Sequence, residues 1–162
     1  MSRGKAHGQD REYQVACRDV LTFRDHDLSP VEGEGIDVPF SIGGTTWTLD
    51  VVLRKPNGEL LVVECRRRAD PAKQEEIAAF AYKVELIRRE RSIPVAGVFF
   101  AKKAPQIGVL KVAQFENITI ACLAEGELPP GFVIYFHRYD AERELRCKDA
   151  IAHVPTGRAR SM

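Results

Sequence analysis

Long apolar runs are absent from this 162-residue chain: stretches such as Val95 to Ala101 and Phe132 to Phe136 fall far short of the roughly 20 residues that cross a bilayer. No membrane-spanning helix is expected. The polar start, Met1 to Asp10, also lacks an apolar core followed by a small-residue cleavage site, so no secretory signal is expected and cytoplasmic residence follows. Charge of one sign is lacking as well. Lys and Arg number 24 against 23 Asp and Glu, a net +1, which argues against a strongly basic nucleic-acid binder on global balance alone. Cysteine is scarce and scattered: Cys17, Cys65, Cys122 and Cys147 form no Cys-x-x-Cys pair and have no histidine at zinc-ligand spacing. They read as reduced thiols, and the four dispersed histidines build no site either. Internal repeats and low-complexity segments are missing too.

What is present suits one globular domain. Apolar residues at 44% and charged residues at 29% are ordinary for a folded chain, and the length is enough for a single core. Residues 10–123 carry the patterned core, 124–154 a peripheral hairpin, and 155–162 a basic tail. A helical stripe runs through Asp10 to Phe23, and a loop from Leu28 to Gly35 precedes a strand near Ile36 to Ile42. Gly43 and Gly44 mark a turn. Thr45 to Arg54 and Leu60 to Cys65 are strands around Lys55-Pro56-Asn57-Gly58-Glu59. Asp70-Pro71 reads as an N-cap and first residue of a helix carrying Ile77, Phe80, Ala81, Val84 and Ile87 at helical spacing. Strand Val95 to Ala101, helix Pro105 to Glu116 and strand Ile118 to Leu123 follow, a β-α-β-α-β order that implies parallel crossovers. Phe132 to Tyr139 and Glu144 to Ile151 read as the hairpin strands.

The hairpin around Pro56 sets the chemistry. Proline cannot take the positive φ of a two-residue type I′ turn, so a three-residue loop with Gly58 left-handed is the better fit. Lys55 then faces Glu59, and counting back puts Asp50 opposite Glu64, with Leu49, Val51 and Leu53 on one apolar face against Cys65, Val63 and Leu61. A two-residue register would bury Glu64 among Leu49 and Val51 as an unpaired charge, at a cost of several kcal/mol. Facing residues have Cβ atoms about 4.5–5.5 Å apart, so Asp50 and Glu64 present carboxylates that one divalent cation can bridge. Oxygen ligands favour Mg²⁺, which keeps several waters and takes one or two carboxylates plus phosphate. The alternative is an ion-pair network of these acids with Arg66 and Arg54.

Asp50, then Glu64-Cys65-Arg66 at the end of an apolar strand, then a helix bearing Gln74, resembles the PD-(D/E)xK nuclease superfamily, nearest its Mrr-like restriction-endonuclease branch. The resemblance covers about Glu12 to Leu123, and Gly35-Ile36-Asp37 and the strand ending at Lys102-Lys103 add to it. It implies a restriction-endonuclease-like mixed β-sheet flanked by helices, with Asp50 and Glu64 holding Mg²⁺ or Mn²⁺ for attack on a DNA phosphodiester. It also implies that Gln74 orients the site or contacts a phosphate. Leu49 stands where the family has a loosely kept proline, and Arg66 where it has a lysine. Arginine stabilises transition-state charge but cannot act as a base, which makes Lys73 the candidate amine. Glu12 and Asp37 are weaker candidate ligands. Arg66, Arg67, Arg68, Lys73, Lys102 and Lys103 form the expected DNA-binding set. A catalytically inactive module that binds nucleic acid or a protein partner is the other reading, and a homodimer is compatible with either.

Overall fold

The computed structural model describes residues 3–125, 131–140 and 143–155, with side chains over 8–123. The expected helix and strand order is present, with one further short strand, β1, inside the stretch read as a loop: α1 (Arg3–Arg24), β1 (Ser29–Pro30), β2 (Ile36–Ile42), β3 (Thr45–Arg54), β4 (Leu60–Arg66), α2 (Gln74–Arg91), β5 (Val95–Ala101), α3 (Ile107–Phe115), β6 (Ile118–Glu125), β7 (Gly131–Asp140) and β8 (Arg143–Pro155). All eight strands join one mixed sheet in the order β1-β3-β4-β5-β6-β7-β8, with β2 also paired to β3. The loop before β7, and most of the tail placed at 155–162, lie outside the described residues.

The hairpin register is the three-residue one. Arg54 pairs with Leu60, Leu53 with Leu61, Val52 with Val62 and Val51 with Val63. Lys55 receives and gives the closing bonds, its N–H donating to Glu59 O at 2.9 Å while its carbonyl accepts from Gly58 N–H at 2.9 Å. Gly58 takes φ +88°, a conformation that costs glycine nothing and a side-chain-bearing residue much more.

Strands β4, β5 and β6 are parallel, and α2 and α3 make the crossovers between them. Helices α2 and α3 pack on one face of the sheet and α1 on the other. Tyr13, Cys17, Val20 and Leu21 of α1 meet Val51, Leu53, Val63, Val98 and Phe100 in one core layer. Ile77, Phe80, Ala81, Val84 and Ile87 of α2, with Val109, Leu110 and Ala113 of α3, meet Leu49, Val52, Val62 and Phe99 in the other. Gly97 lets α2 sit close on β5: a Cβ there would lie 2.7 Å from Ile118 Cδ1 and about 3 Å from Val84 and Phe80. The mixed α/β sheet with flanking helices is therefore as expected from the strand order.

Two boundaries and the facing of one residue differ from the sequence reading. Helix α1 begins well before Asp10, so the polar N-terminal stretch is largely helical. Helix α2 begins at Gln74 with Lys73 as N-cap, rather than at Asp70-Pro71, because the Asp70 carboxylate and carbonyl are taken by Arg66. Glu76 accepts the Lys73 backbone N–H at 2.8 Å and closes the new helix start. Leu49 joins the α2-side core with Val52, not the α1-side layer of Val51 and Leu53. Regular alternation is thus interrupted at Asp50, where β3 passes from its pairing with β2 to its pairing with β4. The hairpin of β7 and β8 is bonded to β6 through β7 and extends the sheet.

Candidate active site

The interruption at Asp50 is where the site forms. Ladder pairing of β3 with β4 ends at Val51 and Val63, and beyond it the Asp50 carboxylate, not a backbone carbonyl, accepts the Cys65 N–H at 2.7 Å. Its other oxygen accepts from Gln14 Nε2 of α1 at 3.2 Å. The same Gln14 nitrogen donates to Asp37 at 3.1 Å, and the pairs Ile36 with Val51 and Val38 with Leu49 set Asp37 beside Asp50 across β2 and β3. Arg11 also reaches Asp37, at 3.7 Å.

Glu64 follows the α2-side parity of Val62. Its Oε2 lies 3.0 Å from Lys83 Nζ of α2, and the ammonium sits 5.9 Å from the Trp47 ring centroid. Burial, then the nearby Glu64 charge, pushes the Asp50 carboxyl up from 3.8 to about 6; the Cys65 N–H, Lys83 and Gln14 work against that rise. The two acids are close enough to repel, although the ladder ends one pair short of them and does not pair Asp50 with Glu64. Beneath them Cys17 and Cys65 are free thiols hydrogen-bonded to each other, and burial raises the pKa of both, which keeps them protonated and inert.

The other site residues named from sequence separate into three groups. Arg66 is buried, 7% exposed, and all its nitrogens are engaged: Nε with Glu76 at 2.7 Å, Nη1 with Asp70 O at 2.5 Å and Nη2 with the Asp70 carboxylate at 2.9 Å. It ties the end of β4 to the start of α2 and pairs with neither Asp50 nor Glu64. Lys73 is exposed at the N-cap, outside the cleft that holds Glu64, and Gln74 lies against Gly108, its Nε2 only 2.2 Å from where a Cβ on that glycine would be. Neither is brought to the acids. Glu12 is exposed on α1.

Four of the six expected basic residues share one end of the sheet. Arg66 pairs with Ala101 across the parallel β4 and β5, so Arg67 and Arg68 leave the sheet at the same end as Lys102 and Lys103. Arg67 is held by Asp10 at 2.9 Å and Gln9 at 3.1 Å. A cleft of about 690 Å³ lies beside the end of β4, lined among others by Glu64, Arg66, Arg67, Arg68, Tyr82 and Lys83; Asp50, Lys102 and Lys103 do not line it.

Lys83 and Gln14 were not singled out in the sequence, yet both touch the acids. Lys83 flanks the buried stripe of α2, three residues after Phe80 and four before Ile87, a position that overlooks the sheet from the helix edge. Gln14 lies on the polar stripe Arg11, Gln14, Arg18 of α1 beside the buried Tyr13 and Cys17. Among the described residues no group of three or more His, Cys, Asp or Glu side chains is placed to hold a metal ion.

No family model and no curated protein matches the chain. Solved structures do. A repair endonuclease from Pyrococcus abyssi is similar at 20% identity and TM-score 0.50, over 66% of this chain and 45% of that one. A protein of unknown function is similar at 15% identity and TM-score 0.53, over 68% and 56%. An EndoMS complex with double-stranded DNA shows 20% identity and TM-score 0.46, over 66% and 42%. The chain therefore matches about half the length of these proteins. What the likeness establishes is the fold: a mixed sheet with flanking helices of the kind found in a repair endonuclease.

Proposed function

We propose that this chain is a metal-dependent endonuclease-like domain that cleaves DNA phosphodiester bonds, of the PD-(D/E)xK type and nearest its Mrr-like branch. The observation that carries the reading is that Asp50 feels the charges of both Glu64 and Lys83, with Lys83 3.0 Å from Glu64, near the end of β4 where Arg67 and Arg68 follow. Sharing a fold with a repair endonuclease supports it.

Two carboxylates with a raised Asp50 pKa fit a hard divalent cation, which relieves their repulsion and completes its shell with water and phosphate oxygen. Asp50 and Glu64 would hold Mg²⁺ or Mn²⁺, and the ion supplies Lewis acidity toward the phosphodiester. Gln14 and the Cys65 N–H fix the Asp50 carboxylate. Lys83 offers its remaining N–H donors to a phosphate oxygen beside Glu64, where developing negative charge is worth neutralising. Arg67, Arg68, Lys102 and Lys103 hold the phosphate backbone on either side.

Lys83 thereby takes the place the motif gives to lysine two residues after Glu64, and Arg66 serves the fold. That substitution favours an active domain over an inactive binding module. Purified protein incubated with plasmid and Mg²⁺ or Mn²⁺ should nick or linearise it, and Asp50→Ala should not. An intact plasmid under both ions with the wild type would sink the activity.

A further inference from the structure

Two different groups hold the ammonium of Lys83. It lies 3.0 Å from Glu64 Oε2 of β4 and 5.9 Å from the centroid of the Trp47 ring of β3. The Lys83 side chain is only 17% exposed, whereas lysines are mostly exposed. Trp47 is the chain's one tryptophan, half-buried against the α2-side core between the exposed Thr46 and Thr48. Its backbone pairs with Phe40 of β2, so ring, carboxylate and ammonium come from three separate elements, β3, β4 and α2.

The two holds differ in kind. A carboxylate attracts an ammonium by charge, and that attraction falls once the carboxylate shares its charge with a divalent cation, which also repels the ammonium. Glu64 alone would therefore release Lys83 at the moment its donors are needed. The face of an indole attracts the same ammonium through the ring quadrupole, and it occupies no carboxylate oxygen that a metal requires. Its hold survives when Glu64 is engaged.

From this arrangement we infer that Trp47 is a positioning residue for Lys83: its ring keeps the ammonium beside Glu64 while Glu64 binds the cation, so that the N–H donors stay at the phosphate oxygen. The effect on cleavage rests on the nuclease reading, whereas the contact itself does not. A ring that merely filled the rim of the core could be replaced by leucine without consequence for Lys83.

The test uses the full chain with isotope-labelled lysines and the single and double variants of Trp47 and Lys83. In the NMR spectrum of the wild type, the ε-methylene protons of Lys83, assigned by their loss in Lys83→Met, should be shifted upfield of the other lysines by the ring current of Trp47. They should stay upfield when Mg²⁺ is added and in Trp47→Phe, and move to the common lysine position in Trp47→Leu. With plasmid, Trp47→Leu should slow cleavage by roughly two- to thirty-fold, the range of one cation–π contact, and Trp47→Phe should recover most of that rate. On a Lys83→Met background the same Trp47→Leu change should cost less than about two-fold, because no ammonium is left to hold. Equal losses in both backgrounds, or a Trp47→Phe variant as slow as Trp47→Leu, would overturn the positioning role. So would a wild-type Lys83 signal at the common position, or one that returns there when Mg²⁺ is added; both are read on the wild type and need no variant to fold. A wild type that leaves plasmid intact while its Lys83 signal stays upfield sinks the nuclease reading, and the positioning role with it, but not the contact.

Discussion

The ammonium of Lys83 lies 3.0 Å from the Glu64 carboxylate, although the two come from different elements, β4 and α2. Two residues after Glu64 stands Arg66, whose donors are consumed by Glu76 and Asp70. Charge at the acids therefore comes from the helix, not from the strand.

Removing Lys83 should be felt in the chemistry before it is felt in the fold. Lys83→Met is expected to lower cleavage by about 10²–10³-fold, the usual effect of deleting one donor aimed at developing charge. Its loss also removes a cation that holds the Asp50 pKa down, so the pH at which activity appears should move upward in any residual rate. Lys83→Arg keeps the charge and should retain part of the activity. Rates across pH 5–9 for the three proteins check this, and undiminished cleavage by Lys83→Met would reassign the role.

Arg66 should behave in the opposite way. Arg66→Ala leaves Glu76 without its guanidinium at the start of α2 and opens space at a buried position, and a loss of roughly 1–3 kcal/mol of stability is expected. Thermal melts measure it. A variant as stable as wild type but unable to cleave would return Arg66 to the active site.

Asp50 carries a pH signature. Its folded pKa, about 6, lies above the ordinary 3.8, so the folded protein holds the extra proton between those values. Stability from this group is present below about pH 4 and is lost as pH rises to about 6. The shift corresponds to at most ~3 kcal/mol, and partial exposure lowers that. Asp50→Asn removes the charge at nearly constant shape, so without metal it should raise stability at pH 7 by about 1–2 kcal/mol, or roughly 2–8 °C. Mn²⁺ should raise the wild-type melting temperature, by the equivalent of about 2.7 kcal/mol at a hundred times Kd, and leave Asp50→Asn unmoved. Calorimetric scans of both proteins at pH 5 and pH 7 decide it. Because Arg66 pairs with Asp70 and Glu76, the competing network with Arg66 and Arg54, which predicts that Asn lowers metal-free stability, has lost one of its two arginines.

DNA affinity should fall steeply with salt, and the slope should report the basic edge. Each phosphate contact contributes a slope of about 0.9 in log affinity against log salt, so Arg67→Ala with Arg68→Ala should flatten the line by nearly two. Lys102→Ala with Lys103→Ala should do the same from the neighbouring strand. Slopes unchanged in both pairs would place the DNA elsewhere.

The residues of the turn suffice for the hairpin. Pro56 and Gly58 admit one loop length, and loop length sets the register from Arg54–Leu60 to Val51–Val63, which is local and depends on backbone φ and hydrogen bonding alone. The last step to the acids is not local: the ladder stops there and the Asp50 carboxylate takes the Cys65 N–H instead of pairing across from Glu64. The apolar periods of α2 and β5 likewise fixed the crossovers and put Arg66 to Arg68 at the same end as Lys102 and Lys103. What only the tertiary structure decided is which side chains from other elements arrive at the acids. Lys73 seemed suited because it follows Arg66 closely, but Arg66 takes Asp70 for itself and α2 begins at Gln74, leaving Lys73 exposed and Gln74 against Gly108. The rotation of α2 on the sheet is set by Phe80 and Val84 against Gly97, a contact far apart in sequence, and that rotation delivers Lys83 to Glu64. Gln14 reaches Asp50 for the same reason: the packing of Tyr13 and Cys17 on β3 and β4 fixes the phase of α1, and no local pattern encodes the phase of one element against another.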